Sequence, residues 1–207
     1  MKIIKPNYKL LDTPSQQQIL QRIELAARLC YKSEDKIMQG SAHFLIKNLL
    51  KIGHHSVFEH EKISIRIICD RGISHELVRH RLCSFSQEST RYANYSKDKF
   101  GNEITVIEPC FWKPGTMEFD IWKKAMEKAE NTYLHLLAVG ASAQEARSVL
   151  PNSLKTEIII TTNLREWRHI FSLRSSWFNK KSHPQMIEIM DMIRADFIDR
   201  WPILFGD

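Results

Sequence analysis

ISIRIICD, residues 63–70, is where the chain changes its period. Ile63, Ile65, Ile67 and Cys69 alternate with Ser64, Arg66 and Asp70, the two-residue repeat of a strand with one buried face. Upstream the repeat is helical. Thr13-Pro14-Ser15-Gln16 reads as a capping box with proline at the first helical position, and Ile19, Leu20, Ile23, Ala27 and Cys30 follow on one face. Leu45, Leu49 and Ile52 mark a second helix that Gly53 stops.

Downstream, a short helix is predicted from Ser74 to about Arg81, with residues 82–92 in a loop beyond it. A strand near Ile104 to Ile107 precedes a long helix with Trp122, Ala125, Ala129, Tyr133 and Leu136 inward, ending at Gly140. Ser142 and Glu145 cap a short helix closed by Pro151, and TEIIITT (156–162) reads as a buried strand. Asn163 to Glu166 caps the next helix, and Met186, Met190, Ile193 and Phe197 line the last. The pattern predicts an α+β fold with more helix than strand. No repeat, low-complexity tract or linker interrupts it, so a single domain over 1–207 is expected.

Composition narrows the class. With 43% hydrophobic and 26% charged residues the chain is an ordinary globular protein, and no apolar run nears the roughly 20 residues that span a bilayer. The N-terminus lacks a signal peptide's apolar block, so a cytoplasmic protein without membrane association is expected. Cysteines 30, 69, 83 and 110 have neither finger nor CxxC spacing, which points to reduced thiols. A net charge of +6 favours anionic partners without choosing between nucleic acid and phosphorylated small molecules.

Four stretches hold more polar machinery than packing needs: GHHSVFEH (53–60), RHRLCSFSQESTRY (79–92), Arg147 before SVLPNS, and NLREWRHIFSLR (163–174) with His183 beyond it. His54, His55, His60 and Glu59 could suggest zinc, but HExxH spacing is missing, so no metal is expected. Arg79 and Arg81, read as helical, would project to different sides and address separate anionic groups. Ser84, Ser86, Ser89 and Thr90, with backbone N–H groups, are suited to cradle a phosphate or a base edge. On the helix after Asn163, Leu164, Trp167 and Phe171 form an apolar stripe while Arg165 and His169 share a polar face. A rival reading makes RHR and KDKF (97–100) a nucleic-acid patch.

RHR, seven intervening residues, then Ser89 and RY resembles the signature of flavin-dependent thymidylate synthases. GHHSVFEH, ARSVLPNSLKTE, NLREWRHIFSLR and HPQM resemble further segments of that family in the same order. The signature carries Phe85, Ser86 and Gln87 where other members have Tyr, Asn and Glu, and SSWFNKKS (175–182) is longer than in some members. The resemblance implies one α+β domain with a mixed or antiparallel sheet flanked by helices. It implies FAD-dependent reductive methylation of dUMP to dTMP, with 5,10-methylenetetrahydrofolate as carbon donor and NADPH as reductant. Matched by position, Ser56, Arg79, His80, Arg81, Gln87, Asn163, Leu164, Arg165 and His169 would contact FAD, with His54 and His183 near the flavin. Glu76, Leu77, Val78, Arg79, Gln87, Glu88, Ser89, Thr90, Arg91, Arg147 and Arg174 would contact dUMP. Arg174 would be catalytic, its fixed cation holding the uracil ring as an anion, so Cys83 is expected not to act as a nucleophile. The family's homotetramers share each site among subunits. Several anionic ligands would account for the positive charge without nucleic acid.

Overall fold

The computed structural model describes residues 1–206, with the side chain of Lys99 outside that description. Helix makes up 51% and strand 16% of the chain, the α+β balance that the two periods imply. Strand β1 (Lys2–Ile4) pairs in parallel with β5 (Thr105–Ile107) as a separate two-stranded sheet. The other strands, β2 (Asn7–Leu10), β3 (Lys62–Asp70), β4 (Ser84–Gln87) and β6 (Lys155–Asn163), form a second sheet in the order β2-β3-β6-β4. Leu164 N–H donates to Glu61 C=O at one end of the β3–β6 pair and Arg71 N–H to Leu154 C=O at the other, so these strands run antiparallel. The sequence pattern missed β1 and β2, which are too short to display a period.

Strand β3 buries Ile63, Ile65, Ile67 and Cys69, the alternation read from its residues. Strand β6 also alternates: Thr156, Ile158, Ile160 and Thr162 are buried, whereas Ile159 is exposed. TEIIITT is therefore buried on one face only. The stretch expected as a loop after Arg81 contains strand β4, at the edge of its sheet. An edge strand needs only one half-buried face, so its polar composition concealed it.

Backbone packing groups the chain into two compact units. The first comprises Met1–Tyr8, Arg66–His80 and Phe85–Ile159, the second Lys9–Ile65, Arg81–Ser84 and Ile160–Asp207. In the first unit, helix α4 (Met117–Ala138) packs Phe119, Trp122, Met126 and Tyr133 around Ile104, Val106 and Leu154. Ala125, expected inward, is exposed and Ala129 half-buried. Two stripes through Trp122 and Tyr133 fit a helical repeat, and the one with bulkier side chains removes more apolar area from water. Glu130 joins that buried face, its carboxylate accepting the Ile104 N–H at 2.9 Å.

Helix α3 (Arg71–Leu77) begins three residues before the predicted start and ends well before Arg81. Asp70 caps it, accepting the Ile73 N–H at 2.8 Å, a role hidden by its place at the end of the strand alternation. Arg79, His80 and Arg81 thus follow the helix, and the expected two-sided helical presentation of the arginines gives way to a turn. Helix α5 (Ala143–Ala146) keeps the predicted Ser142–Glu145 capping box, and Gly140 adopts φ 98° where α4 stops.

The second unit holds helices α1 (Gln16–Cys30), α2 (Ser41–Lys51), α6 (Leu164–Arg174), α7 (Pro184–Arg200) and α8 (Pro202–Phe205). The α1 capping box pairs Ser15 with Gln18, not Thr13 with Gln16. TPSQQQ offers both registers, and the later one leaves the Pro14 carbonyl to accept the Trp201 indole N–H at 2.9 Å. Gly53, at φ 73°, ends α2 as expected, although Ile52 is exposed. Trp167, Phe171, Phe197, Trp201 and Phe205 interlock edge-on and stacked with centroid separations of 4.9–6.4 Å. Among the described residues no helix is long and apolar enough to cross a membrane.

Candidate active site

The junction from β6 into α6 builds one side of a cleft in the second unit. Asn163 accepts the Glu166 N–H at 2.9 Å, while fully buried Leu164 anchors the first turn and donates its own N–H to the Glu61 carbonyl. Arg165, Arg168 and His169 consequently line the cleft. A 3-10 turn, Ser56–His60, is pinned by buried Val57 and Phe58, and its Glu59 carboxylate meets the Arg165 guanidinium at 2.6 Å. His55 enters the same lining, whereas the His54 ring stands edge-on to Tyr31 at 6.4 Å. Ser56 is exposed.

Helix α8 bounds the cleft through Phe205. Arg168 donates to the Leu204 carbonyl, and Arg194, 6% exposed, donates to that of Phe205 at 3.2 Å. The Arg194 guanidinium also lies over the rings of Trp177, at 4.5 Å, and Phe178, at 5.5 Å. Burial raises the Glu166 carboxyl, an effect that His169 and Arg165 partly oppose. The cleft measures about 720 Å³, and its lining sets three arginines and two histidines against two glutamates alongside Leu82, Phe171, Phe178 and Phe205. Its size lies within the usual range for cofactor pockets, and cations among aromatic rings suit a planar, anionic dinucleotide. The sequence reading placed Asn163, Arg165 and His169 here but not Arg168, Arg194 or Phe205. A charge at 194 inside the Met190–Ile193–Phe197 stripe was the available signal.

The first unit carries a different arrangement. Gln87 donates its amide to Ser74 Oγ at 2.8 Å and to Thr156 Oγ1 at 3.1 Å, fixing the end of β4. Glu88 donates its N–H to the Glu157 carbonyl and accepts from Lys155 Nζ at 3.0 Å. The chain then turns, with the Ser89 carbonyl accepting from the N–H groups of Tyr92 and Ala93. Two guanidiniums flank this turn: Arg91 donates Nε to Gln144 Oε1 at 3.1 Å, and Arg147 donates Nη1 to buried Thr90 at 3.4 Å. Glu76 is half-buried, Leu77 buried, Val78 and Arg79 exposed and His80 buried. The Lys99 side chain of the basic stretch KDKF lies outside the described residues.

Arg174, half-buried, occupies the last turn of α6 in the second unit, and exposed Arg81 belongs to that unit as well. His183 caps α7, its Nδ1 accepting the Gln185 N–H at 3.3 Å. Burial raises the Cys83 thiol, with a hydrogen bond to Thr162 acting the other way. A protonated thiol is a poor nucleophile.

A family model for the thymidylate synthase complementing protein matches residues 9–203. Curated relatives agree: the flavin-dependent thymidylate synthase of Geobacter sulfurreducens is 35% identical over 164 residues, covering 73% of this chain and 67% of that one. The Pyrococcus furiosus enzyme of the same name is 32% identical over 182 residues, covering 83% and 74%. The chain belongs to the flavin-dependent thymidylate synthases. The fold of this chain is shared with a UMP/dUMP methylase of Streptomyces cacaoi bound with 5-Br dUMP. That likeness has a TM-score of 0.79 and covers 100% of this chain and 96% of the other at 24% identity.

Proposed function

We propose that the protein methylates dUMP reductively to dTMP, drawing the carbon from 5,10-methylenetetrahydrofolate and reducing equivalents from NADPH through bound FAD. The cleft of the second unit carries this reading. It combines the volume and aromatic lining that a flavin dinucleotide needs with cations for its diphosphate. Asn163, Leu164, Arg165 and His169 would hold the cofactor from α6, with Ser56 nearby and His54 and His183 toward the flavin. Arg79, His80, Arg81 and Gln87 would complete the flavin contacts. When bound, the flavin supplies the hydride that finishes the methyl group.

The nucleotide is assigned to the turn of the first unit. Ser89, Thr90, Arg91 and Arg147 offer hydroxyls and guanidiniums to a phosphate, while Glu76, Leu77, Val78, Arg79, Gln87 and Glu88 would contact the rest of dUMP. Uracil C5 becomes nucleophilic once negative charge is placed on the ring. Arg174 would stabilise the N3-deprotonated ring as a permanent cation, with no thiolate adduct required. We read residues 1–207 as one cytoplasmic domain acting in dTMP biosynthesis, in a homotetramer whose subunits share active sites.

The test is an absorption spectrum of the purified protein, repeated after incubation with FAD. Bound flavin gives a yellow protein with visible bands, and turnover is then followed by dTMP formation from dUMP. A protein that takes up no FAD under any condition, yet binds oligonucleotides with strong salt dependence, would be a nucleic-acid-binding protein instead.

A further inference from the structure

The two guanidiniums beside the Ser89 turn differ from Arg22, Arg28, Arg66, Arg165 and Arg200, each of which a carboxylate holds. Among the described residues neither Arg91 nor Arg147 forms an ion pair; their partners are the neutral Gln144 and Thr90. A guanidinium oriented by an amide oxygen keeps its full charge for a ligand, whereas one held by a carboxylate is largely neutralised.

A carboxylate is close by in sequence. Glu145 follows Gln144, but it is turned to the start of α5, accepting the Ser142 N–H at 2.8 Å and the Ser142 hydroxyl at 2.6 Å. Those hydrogen bonds hold its carboxyl below the usual range, so it stays ionised in the cap. The capping box thus turns this acidic neighbour away and leaves the amide at 144 to meet Arg91. Gln144 and Arg147 also stand three residues apart, in α5 and in the 3-10 turn Arg147–Val149 that directly follows it, so one short run of chain orients both cations.

We propose that Gln144 is a positioning residue for the nucleotide phosphate: it aims the Arg91 guanidinium without neutralising it. This rests on the assignment of the Ser89 turn to dUMP. Position 144 accordingly tolerates a neutral acceptor and rejects an acid, because a carboxylate there competes with the phosphate for the same cation.

The experiment measures binding of dUMP and of deoxyuridine, which lacks the phosphate, to the FAD-loaded wild type, Gln144→Ala and Gln144→Glu. The wild type should bind dUMP much more tightly than deoxyuridine. Gln144→Glu should weaken dUMP about tenfold or more, and Gln144→Ala by about threefold, the scale of one charged contact and of one lost orienting hydrogen bond. Deoxyuridine affinity, FAD content and kcat at saturating dUMP should stay near wild type. Added salt should narrow the gap between the two variants, since the penalty at Glu is a screened charge effect. Unchanged dUMP affinity in Gln144→Glu overturns the proposal, as does equal weakening of both ligands, which marks a merely structural position. A wild type that fails to prefer dUMP over deoxyuridine instead overturns the assignment of the turn to the nucleotide.

Discussion

The arginines of the second unit's cleft and those of the first unit's Ser89 turn are the same chemical group held in different ways. In the cleft, Arg168 and Arg194 donate to backbone carbonyls of α8, and Arg165 is paired with Glu59. Arg168 and Arg194 build walls, while Arg165, assigned to the cofactor, shares its charge with Glu59. At the turn, Arg91 and Arg147 are oriented by an amide and a hydroxyl, which fix direction and leave charge. A cation's partner sets how much of its charge is left for a ligand. A substitution in each region should therefore fail in a different observable.

The largest effect is expected where a cation is assigned to the chemistry itself. Arg174→Lys should lower turnover by about 10²-fold or more, the scale of losing one preorganised donor to a developing negative charge. FAD content should stay at the wild-type level, because lysine keeps the charge but not the planar fork. Single-turnover oxidation of the reduced flavin with dUMP and 5,10-methylenetetrahydrofolate bound measures it, and a wild-type rate would remove Arg174 from the mechanism.

Arg194→Ala tests the wall-building side. Arg194 is 6% exposed and its guanidinium satisfies the Phe205 carbonyl, so its removal orphans a buried acceptor and empties the space beneath Trp177 and Phe178. A loss of about 2–4 kcal/mol in unfolding free energy is expected from those two causes together. Denaturant unfolding of the FAD-free protein isolates this from cofactor binding. Loss of FAD affinity without loss of stability would instead make Arg194 a ligand contact.

Arg147→Ala tests the opposite side and should leave stability nearly untouched, since the residue is exposed. Its cost should fall on KM for dUMP, raised about tenfold, with kcat much less affected. If stability fell and KM held, the contrast between the two regions would be lost.

This contrast was only half legible in the sequence. The stripes of α1, α6 and α7 and the alternation of β3 were plain because burial on one face imposes a period on neighbouring residues. Strand β4 and the early start of α3 were not, because an edge strand with polar side chains and an Asp70 cap at a strand end leave no period to read. At the candidate sites, Asn163, Arg165 and His169 stood together on one helix and could be read as a group. Arg194 and Phe205 reach the same cleft from α7 and α8, separate helices whose periods do not reveal that they face α6. Gln144 escaped notice for a further reason: a neutral residue on a four-residue helix carries no charge to attract attention, and its importance lies in the carboxylate it is not.

The smallest effect is expected where a first-unit guanidinium does have an acid partner. Arg66 donates its Nε to Glu157 at 2.7 Å, and Lys155 reaches the same carboxylate at 2.5 Å while also holding Glu88. Burial alone would raise the Glu157 carboxyl, but the hydrogen bonds from Lys155 and Arg66 outweigh it and hold the group below its ordinary value. A depressed folded-state value means stabilisation that is fully present above the unfolded carboxylate value, about 4.3, and lost as pH falls through the lower folded one. Both partners are partly exposed, so solvent screening keeps the contribution under about 1 kcal/mol. Glu157→Gln should therefore flatten the acid limb of the stability–pH curve slightly while leaving neutral-pH dUMP binding near wild type. Should that variant instead weaken dUMP as much as Arg147→Ala does, Glu157 with its partners Arg66 and Lys155 would join Glu88 in the nucleotide site, and in the first unit an acid partner would no longer mark a cation as lying outside it.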